Sequence, residues 1–163
     1  MTYEEASEAF NYDPDTGVVS NKTNRGRARI GEETGWKTER GYRRLHIEGN
    51  YYMTHRLAWL LYHGEWPKQD IDHINGIRDD NRIHNLRDVS RQENMRNIKK
   101  NAKNTSGVTG VKWHKRHGKW TATIKNLNKD IYLGLFDCFL DAIAARMRAE
   151  KEYNFHENHG RSI

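Results

Sequence analysis

The run from Lys99 to Gly107, Lys-Lys-Asn-Ala-Lys-Asn-Thr-Ser-Gly, has no apolar periodicity, so no helix or strand can bury a face there. The chain must therefore fold on either side of it. Only 35% of its 163 residues are hydrophobic, too few for one large core, which favours small units. An α+β chain is expected: a β-rich region over residues 1–50, a mixed core over 51–100, a basic linker over 101–108 and a sheet-plus-helix module over 109–157.

Local patterns place the elements. Asp13-Pro14-Asp15-Thr16-Gly17 is turn chemistry, and Tyr42 to Ile47, Glu48-Gly49-Asn50 and Tyr51 to Met53 read as a β-hairpin. Thr54 offers an N-cap to a helix over about 55–63 carrying Leu57, Ala58, Leu60 and Leu61, which Gly64 and Pro67 end. Asp70 to Ile74 and Leu86 to Val89 read as strands. The polar run between them is a loop, either ordered or disordered. Ser90-Arg91-Gln92-Glu93 is a capping box that starts a helix at Arg91. In the last third, Val111 and Trp113, then Trp120, Ala122 and Ile124, then Ile131, Leu133 and Leu135 alternate with polar or small residues, predicting three antiparallel strands. A final helix follows, capped by Asp137, with Leu140, Ile143, Ala144 and Met147 as its core stripe.

Charge is distributed unevenly. Ten basic residues and one acid, Glu93, lie between Arg91 and Lys125, whereas the formal net charge of the whole chain is +6. A local basic patch of this kind neutralises phosphates. The first 19 residues hold five acids and no base, and are expected to face away from such a partner. One cysteine, Cys138, excludes an internal disulfide and a cysteine-based zinc cluster. The start Met1-Thr-Tyr-Glu-Glu lacks the features of a signal peptide, and no stretch is apolar enough to span a bilayer, so a soluble, cytoplasmic protein without a membrane partner is expected.

Chemistry concentrates in Asp72-His73 on the first of the two strands, Asn85 before the second, and Asn94 one turn into the helix. A strand, loop, strand, helix unit closes these groups onto one cleft. Asp72 and Asn94 supply hard oxygen ligands suited to a divalent ion, Mg²⁺ or else Mn²⁺, and His73, with an ordinary pKa near ~6.5, suits a general base. Together these are the requirements of phosphodiester hydrolysis. His84 reads as a loop surface group and His55 as a capping or packing residue. His114 with His117 and His156 with His159 have the spacing of metal pairs, but no cysteine accompanies them and no zinc site is expected.

Asp72-His73-Ile74-Asn75-Gly76, Asn81-Arg82-Ile83-His84-Asn85-Leu86-Arg87 and Ser90-Arg91-Gln92-Glu93-Asn94 resemble the HNH (His-Me finger) endonucleases of phage homing type. The likeness extends upstream through His55-Arg56-Leu57-Ala58-Trp59 and Gly64-Glu65-Trp66-Pro67, covering about residues 51–98. It implies one divalent metal bridging Asp72, Asn94 and the scissile phosphate, His73 activating water, and Asn85 bracing the loop that orients His73. The last motif position is often histidine, and an amide there favours hard ions over zinc. A phage-encoded enzyme in a bacterial cytoplasm is the corresponding expectation.

Ser106 to Val111, Gly118-Lys119-Trp120, Tyr132 to Asp137 and the alanine-bearing helix are similar to an AP2 DNA-binding domain, whose exposed sheet face enters the major groove. The alternation turns Lys112, His114, Thr121, Thr123, Lys125 and Tyr132 to that face, with Lys115 and Arg116 in the adjoining turn. Lysines and threonines in place of arginines imply phosphate anchoring with modest base selectivity. Arg91 and Arg96 are candidates to clamp phosphates beside the metal, and Trp36, Arg40, Arg43 and Arg44 are either DNA-backbone contacts or ordinary surface. The expectation is a metal-dependent endonuclease gripping double-stranded DNA as a monomer or homodimer, by nicking or double-strand cleavage. Its rivals are an inactive DNA-binding regulator and an RNA-directed nuclease.

Overall fold

A computed structural model describes residues 1–95, 101, 104–127, 129–155 and 159–160. They form two compact units, Met1–Arg91 and Gln92–Ile163, both mixtures of helix and small antiparallel sheets. No described helix is long and apolar enough to cross a membrane.

The first unit opens with a helix, α1 (Tyr3–Ala9), where a β-rich start was expected. Its signal was available: Thr2 accepts from the Glu5 amide and Glu5 accepts from the Thr2 amide, a complete capping box. Strands β1 (Phe10–Tyr12) and β2 (Val19–Asn21) pair around the Asp13–Gly17 turn. Strands β3 (Trp36–Lys37), β4 (Arg43–Ile47) and β5 (Asn50–Met53) form a three-stranded sheet with β4 in the centre. Helix α2 (Thr54–His63) follows directly. Its N-cap is Met53, so Thr54 lies inside the first turn instead of capping it. Gly64, at φ 79°, ends α2 by donating to the Leu60 carbonyl, a left-handed cap that favours glycine. Strands β6 (Asp70–His73) and β7 (Leu86–Val89) then pair, joined by an ordered loop that ends in a 3₁₀ turn, Ile83–Asn85.

One core joins what the sequence divided at residue 50. Ala6, Phe10, Val19 and Leu45 pack with Leu57, Ala58, Leu60, Ile71 and Leu86. Burying each large side chain of this set is worth roughly 2 kcal/mol. The nuclease-like segment is thus half of a core that the first 50 residues complete.

Helix α3 (Arg91–Met95) begins where its capping box predicted, and runs across the boundary into the second unit. There, β8 (Val111–His114), β9 (Lys119–Asn126) and β10 (Lys129–Phe136) make an antiparallel sheet with β9 central, and α4 (Phe139–Glu152) packs on it. Val111, Ala122 and Ala142 form its buried core. Part of the expected linker is folded. Asn104 accepts from the Gly107 amide and donates to the Val108 carbonyl, and Ser106 donates to the Val111 carbonyl at 2.6 Å.

Several expectations for this unit fail for identifiable reasons. Cys138, not Asp137, is the N-cap of α4, and Asp137 pairs instead with Lys119 at 3.1 Å. The buried face of α4 is Ala142, Arg146 and Ala149, while Leu140 and Met147 are 69% and 61% exposed. Alanines permit the close approach, and Arg146 reaches past them to the Thr109 carbonyl. Trp113 is exposed because β8 is an edge strand. A register shift between Tyr132 and Gly134 breaks the alternation, bringing Leu135 opposite Thr121.

Candidate active site

Antiparallel pairing of β6 with β7 sets Asp72 opposite Arg87 and His73 opposite Leu86. Cross-strand partners share a face, so the guanidinium of Arg87 meets the Asp72 carboxylate. Both Nε and Nη2 of Arg87 donate to Oδ2 of Asp72, at 2.8 and 2.6 Å. Asp72 and His73 are buried, at 7% and 4% exposure, although neither is apolar. Polar groups are tolerated there because each is held by another polar group.

The loop between the strands supplies those holds. Asn85 clamps its two ends: its backbone carbonyl accepts from Ile74, its Oδ1 accepts from the Asn75 amide at 2.9 Å, and its Nδ2 donates to the Asp80 carbonyl at 2.7 Å. Asp80 in turn takes two hydrogen bonds from the Arg82 side chain, one from the Arg82 amide and one from the Asn75 side chain. Those bonds, Arg82's first, hold its carboxyl down at about 2 despite partial burial. The loop is thereby a fixed object, hydrophilic in composition but built around buried Asn81 and Asn85.

Asn81 is the residue the sequence did not single out. Its Oδ1 lies 3.2 Å from Nε2 of His73. Its own backbone is braced from the N-terminal region: the Tyr12 hydroxyl donates to the Asn81 carbonyl at 2.7 Å, and the Ile83 amide donates to the Pro14 carbonyl. Gly17, at φ +77°, packs so closely that a Cβ would lie 2.5 Å from the Arg82 amide nitrogen, so only glycine fits both the turn and the approach. The turn at Asp13–Gly17 thus supports the loop that holds His73.

Around the His73 ring stand Tyr42 and His55, with centroids 5.9 and 5.2 Å away. Burial pushes the His73 imidazole below its ordinary value, against the opposing pull of the Asn81 bond and of Asp72, Asp80 and Asp79. A buried, neutral imidazole in contact with an amide oxygen through Nε2 keeps its lone pair on Nδ1, the state a general base needs. His55 does not act as a helix cap, and its ring packs against both neighbours. His84 is in the 3₁₀ turn.

The remaining candidates come later in the sequence. Arg91 is exposed at the end of the first unit, Asn94 sits on α3 in the second, and Arg96 and His156 lie outside the described residues. Among the described residues there is no group of three or more His, Cys, Asp or Glu able to hold an ion. A hard divalent ion needs less: one carboxylate such as Asp72 and an amide, with water and phosphate oxygens filling its other positions. A cleft of about 1220 Å³ in the first unit is lined by Asn21, Arg25, Thr34, Leu45 and Tyr52, and Asp72 and His73 take no part in it.

On the sheet of the second unit, cross-strand register puts Lys112, Thr121, Thr123, Lys125 and Tyr132 on the face opposite the core. Lys112, Lys125 and Tyr132 are exposed, as are Lys115 and Arg116 in the turn, and His114 is half-buried. Thr121 departs from the expectation: flanked by Lys112 and Leu135, it is only 5% exposed and presents no surface hydroxyl.

A family model described as HNH endonuclease matches residues 52–96, from β5 through β6, the loop, β7 and α3. No curated protein and no solved structure matches the chain. The matched segment is an HNH endonuclease domain, and the chain carrying it is a nuclease.

Proposed function

We propose that this nuclease hydrolyses phosphodiester bonds of double-stranded DNA in a metal-dependent reaction centred on Asp72, His73 and Asn94. The observation that carries the reading is the His73 ring, buried and lowered in pKa, with Nε2 against Asn81 and the Asp72 carboxylate on the adjacent residue. His73 takes the proton of the attacking water through Nδ1. Asn81 holds the ring in that tautomer and Asn85 holds the loop that carries Asn81. Asp72 and Asn94 are the residues that would hold a divalent ion, Mg²⁺ or Mn²⁺. When bound, the ion supplies positive charge against the phosphorane and the leaving oxygen. Arg87 orients the Asp72 carboxylate from the neighbouring strand. Arg91 and Arg96 are proposed phosphate clamps.

In the same reading the second unit is an AP2-like module that grips the duplex. Lys112, His114, Lys115, Arg116, Thr123, Lys125 and Tyr132 are its contacts, a set richer in phosphate anchors than in groups that read base edges. Supercoiled plasmid incubated with the protein and Mg²⁺, beside an EDTA sample and a His73→Ala variant, tests the proposal. Relaxed or linear product that disappears in both controls is expected. Intact plasmid with Mg²⁺ and with Mn²⁺ overturns it.

A further inference from the structure

The β3–β4–β5 sheet of the first unit presents one face to the core and one to solvent. Leu45 and Tyr52, opposite each other, belong to the core side. Register then assigns Trp36, Arg44, His46 and Tyr51 to the other side, because Trp36 pairs with Arg44 and His46 pairs with Tyr51. Trp36 and Tyr51 are 44% and 61% exposed, unusual for large aromatic side chains.

Arg44 lies between them. Its guanidinium carbon is 5.3 Å from the Trp36 ring centre and 4.5 Å from that of Tyr51, and the two rings meet edge to face at 6.3 Å. Neighbouring cations are neutralised by carboxylates: Arg43 by Glu33 at 3.0 Å, and Lys37 by Asp79 at 2.6 Å. Arg44 has no carboxylate partner among the described residues; its Nε is buried without a hydrogen bond, which leaves the terminal nitrogens of the guanidinium to meet a ligand. Two rings hold it by cation–π attraction, which fixes the planar group without consuming its charge. A rigid, uncompensated guanidinium on a surface suits bidentate binding of a phosphate.

Its location makes that phosphate part of the nuclease substrate. Tyr42, two residues before Arg44, touches His73, and an extended strand covers about 7 Å over two residues. Lys37 of β3 is tied through Asp79 to the loop that carries Asn81. The sheet is therefore continuous with the hydrolytic centre.

We propose that Arg44, clamped by Trp36 and Tyr51, binds a backbone phosphate of the nucleic-acid substrate beside the scissile one. The inference rests on the nuclease reading, and its test is separate from it. Binding of the full chain to a short duplex is measured in EDTA by fluorescence anisotropy over a range of salt concentrations, so that no cleavage intervenes. Arg44→Gln, which keeps the stem and loses the charge, is expected to reduce the slope of log K against log salt by about one. Arg44→Lys should retain the slope yet weaken binding about threefold, because the ammonium loses the stacked, bidentate geometry. Circular dichroism verifies folding of both, and Trp36→Leu serves as a second loosening variant, expected to weaken binding like Arg44→Lys with the slope retained.

An unchanged slope in Arg44→Gln overturns the proposal, as does a wild-type chain that binds no nucleic acid. A wild-type chain that binds but never cleaves with Mg²⁺ or Mn²⁺ overturns the hydrolytic reading alone, and the slope still decides the role of Arg44.

Discussion

Oδ1 of Asn81 lies 3.2 Å from Nε2 of His73, and both side chains are buried. An amide oxygen at that nitrogen selects the tautomer in which Nε2 carries the proton, so the basic lone pair sits on Nδ1.

Asn81→Ala should therefore cost about 10- to 100-fold in cleavage rate, the usual scale for a group that orients a functional imidazole. Asn81→Asp preserves shape but adds a negative charge beside the ring, raising the His73 pKa. More of the ring is then protonated at a given pH, and the acid limb of the pH–rate profile moves to higher pH. Rates measured over a pH series decide the matter, and a profile identical to wild type in Asn81→Asp refutes the contact.

Arg87 and Asp72 form an ion pair that is 28% and 8% exposed. Arg87→Gln leaves a carboxylate with little access to water, and partial exposure of the pair limits the loss of stability to about 2 kcal/mol. A divalent ion that binds only the folded state compensates by mass action. Thermal melting should therefore show a larger stabilisation by Mg²⁺ in Arg87→Gln than in wild type, and none in Asp72→Asn. Equal Mg²⁺ responses in all three proteins would remove Asp72 from the metal site.

Strands β6 and β7 were legible because Ile71, Leu86 and Val89 are apolar, and the carboxylate and imidazole at the end of β6 were legible as a dipeptide. The role of Asn81 was not. Composition marks the whole run from Asn75 to Asn85 as solvent-loving, and nothing local says which asparagine turns inward; that depends on Tyr12, Pro14 and Gly17, some 65 residues away in sequence. The N-terminal region resisted reading for the same reason. Its apolar residues are few because they complete a core whose larger share comes from α2 and β6–β7. Pattern misled most at α4, where large apolar residues stand on one stripe and the buried face is built of alanines and one arginine.

His55 offers a pH test of the first unit. Burial, then the charges of His73 and Arg56, push its pKa down to about 3 from an ordinary 6.5. The unfolded chain therefore binds this proton more readily than the folded one. Stability is complete above about 6.5 and declines as pH falls toward 3, by an amount on the order of 5 kcal/mol. His55→Phe keeps the ring packing against Tyr42 and His73 and sacrifices no hydrogen bond at Nδ1, which makes none. Melting temperatures followed from pH 7 downward should fall less steeply in this variant. Parallel curves would show that folded His55 takes up its proton as readily as the unfolded chain does.

The phase of α4 can be fixed by substitution. Arg146, 2% exposed, donates from Nε to the Thr109 carbonyl at 2.9 Å, pairs with Glu150 at 3.1 Å, and has its guanidinium 5.3 Å from the Phe155 ring centre. Arg146→Leu is close in hydrophobic bulk but leaves the Thr109 carbonyl and Glu150 without their donor, and should cost about 3 kcal/mol. Leu140→Glu and Met147→Glu place charge on positions that are mostly exposed, and each should cost less than about 0.5 kcal/mol. Urea midpoints at constant m-value compare the three directly. If the glutamates unfold the second unit while Arg146→Leu is tolerated, the apolar stripe is the core face after all, and the helix is rotated from the position described.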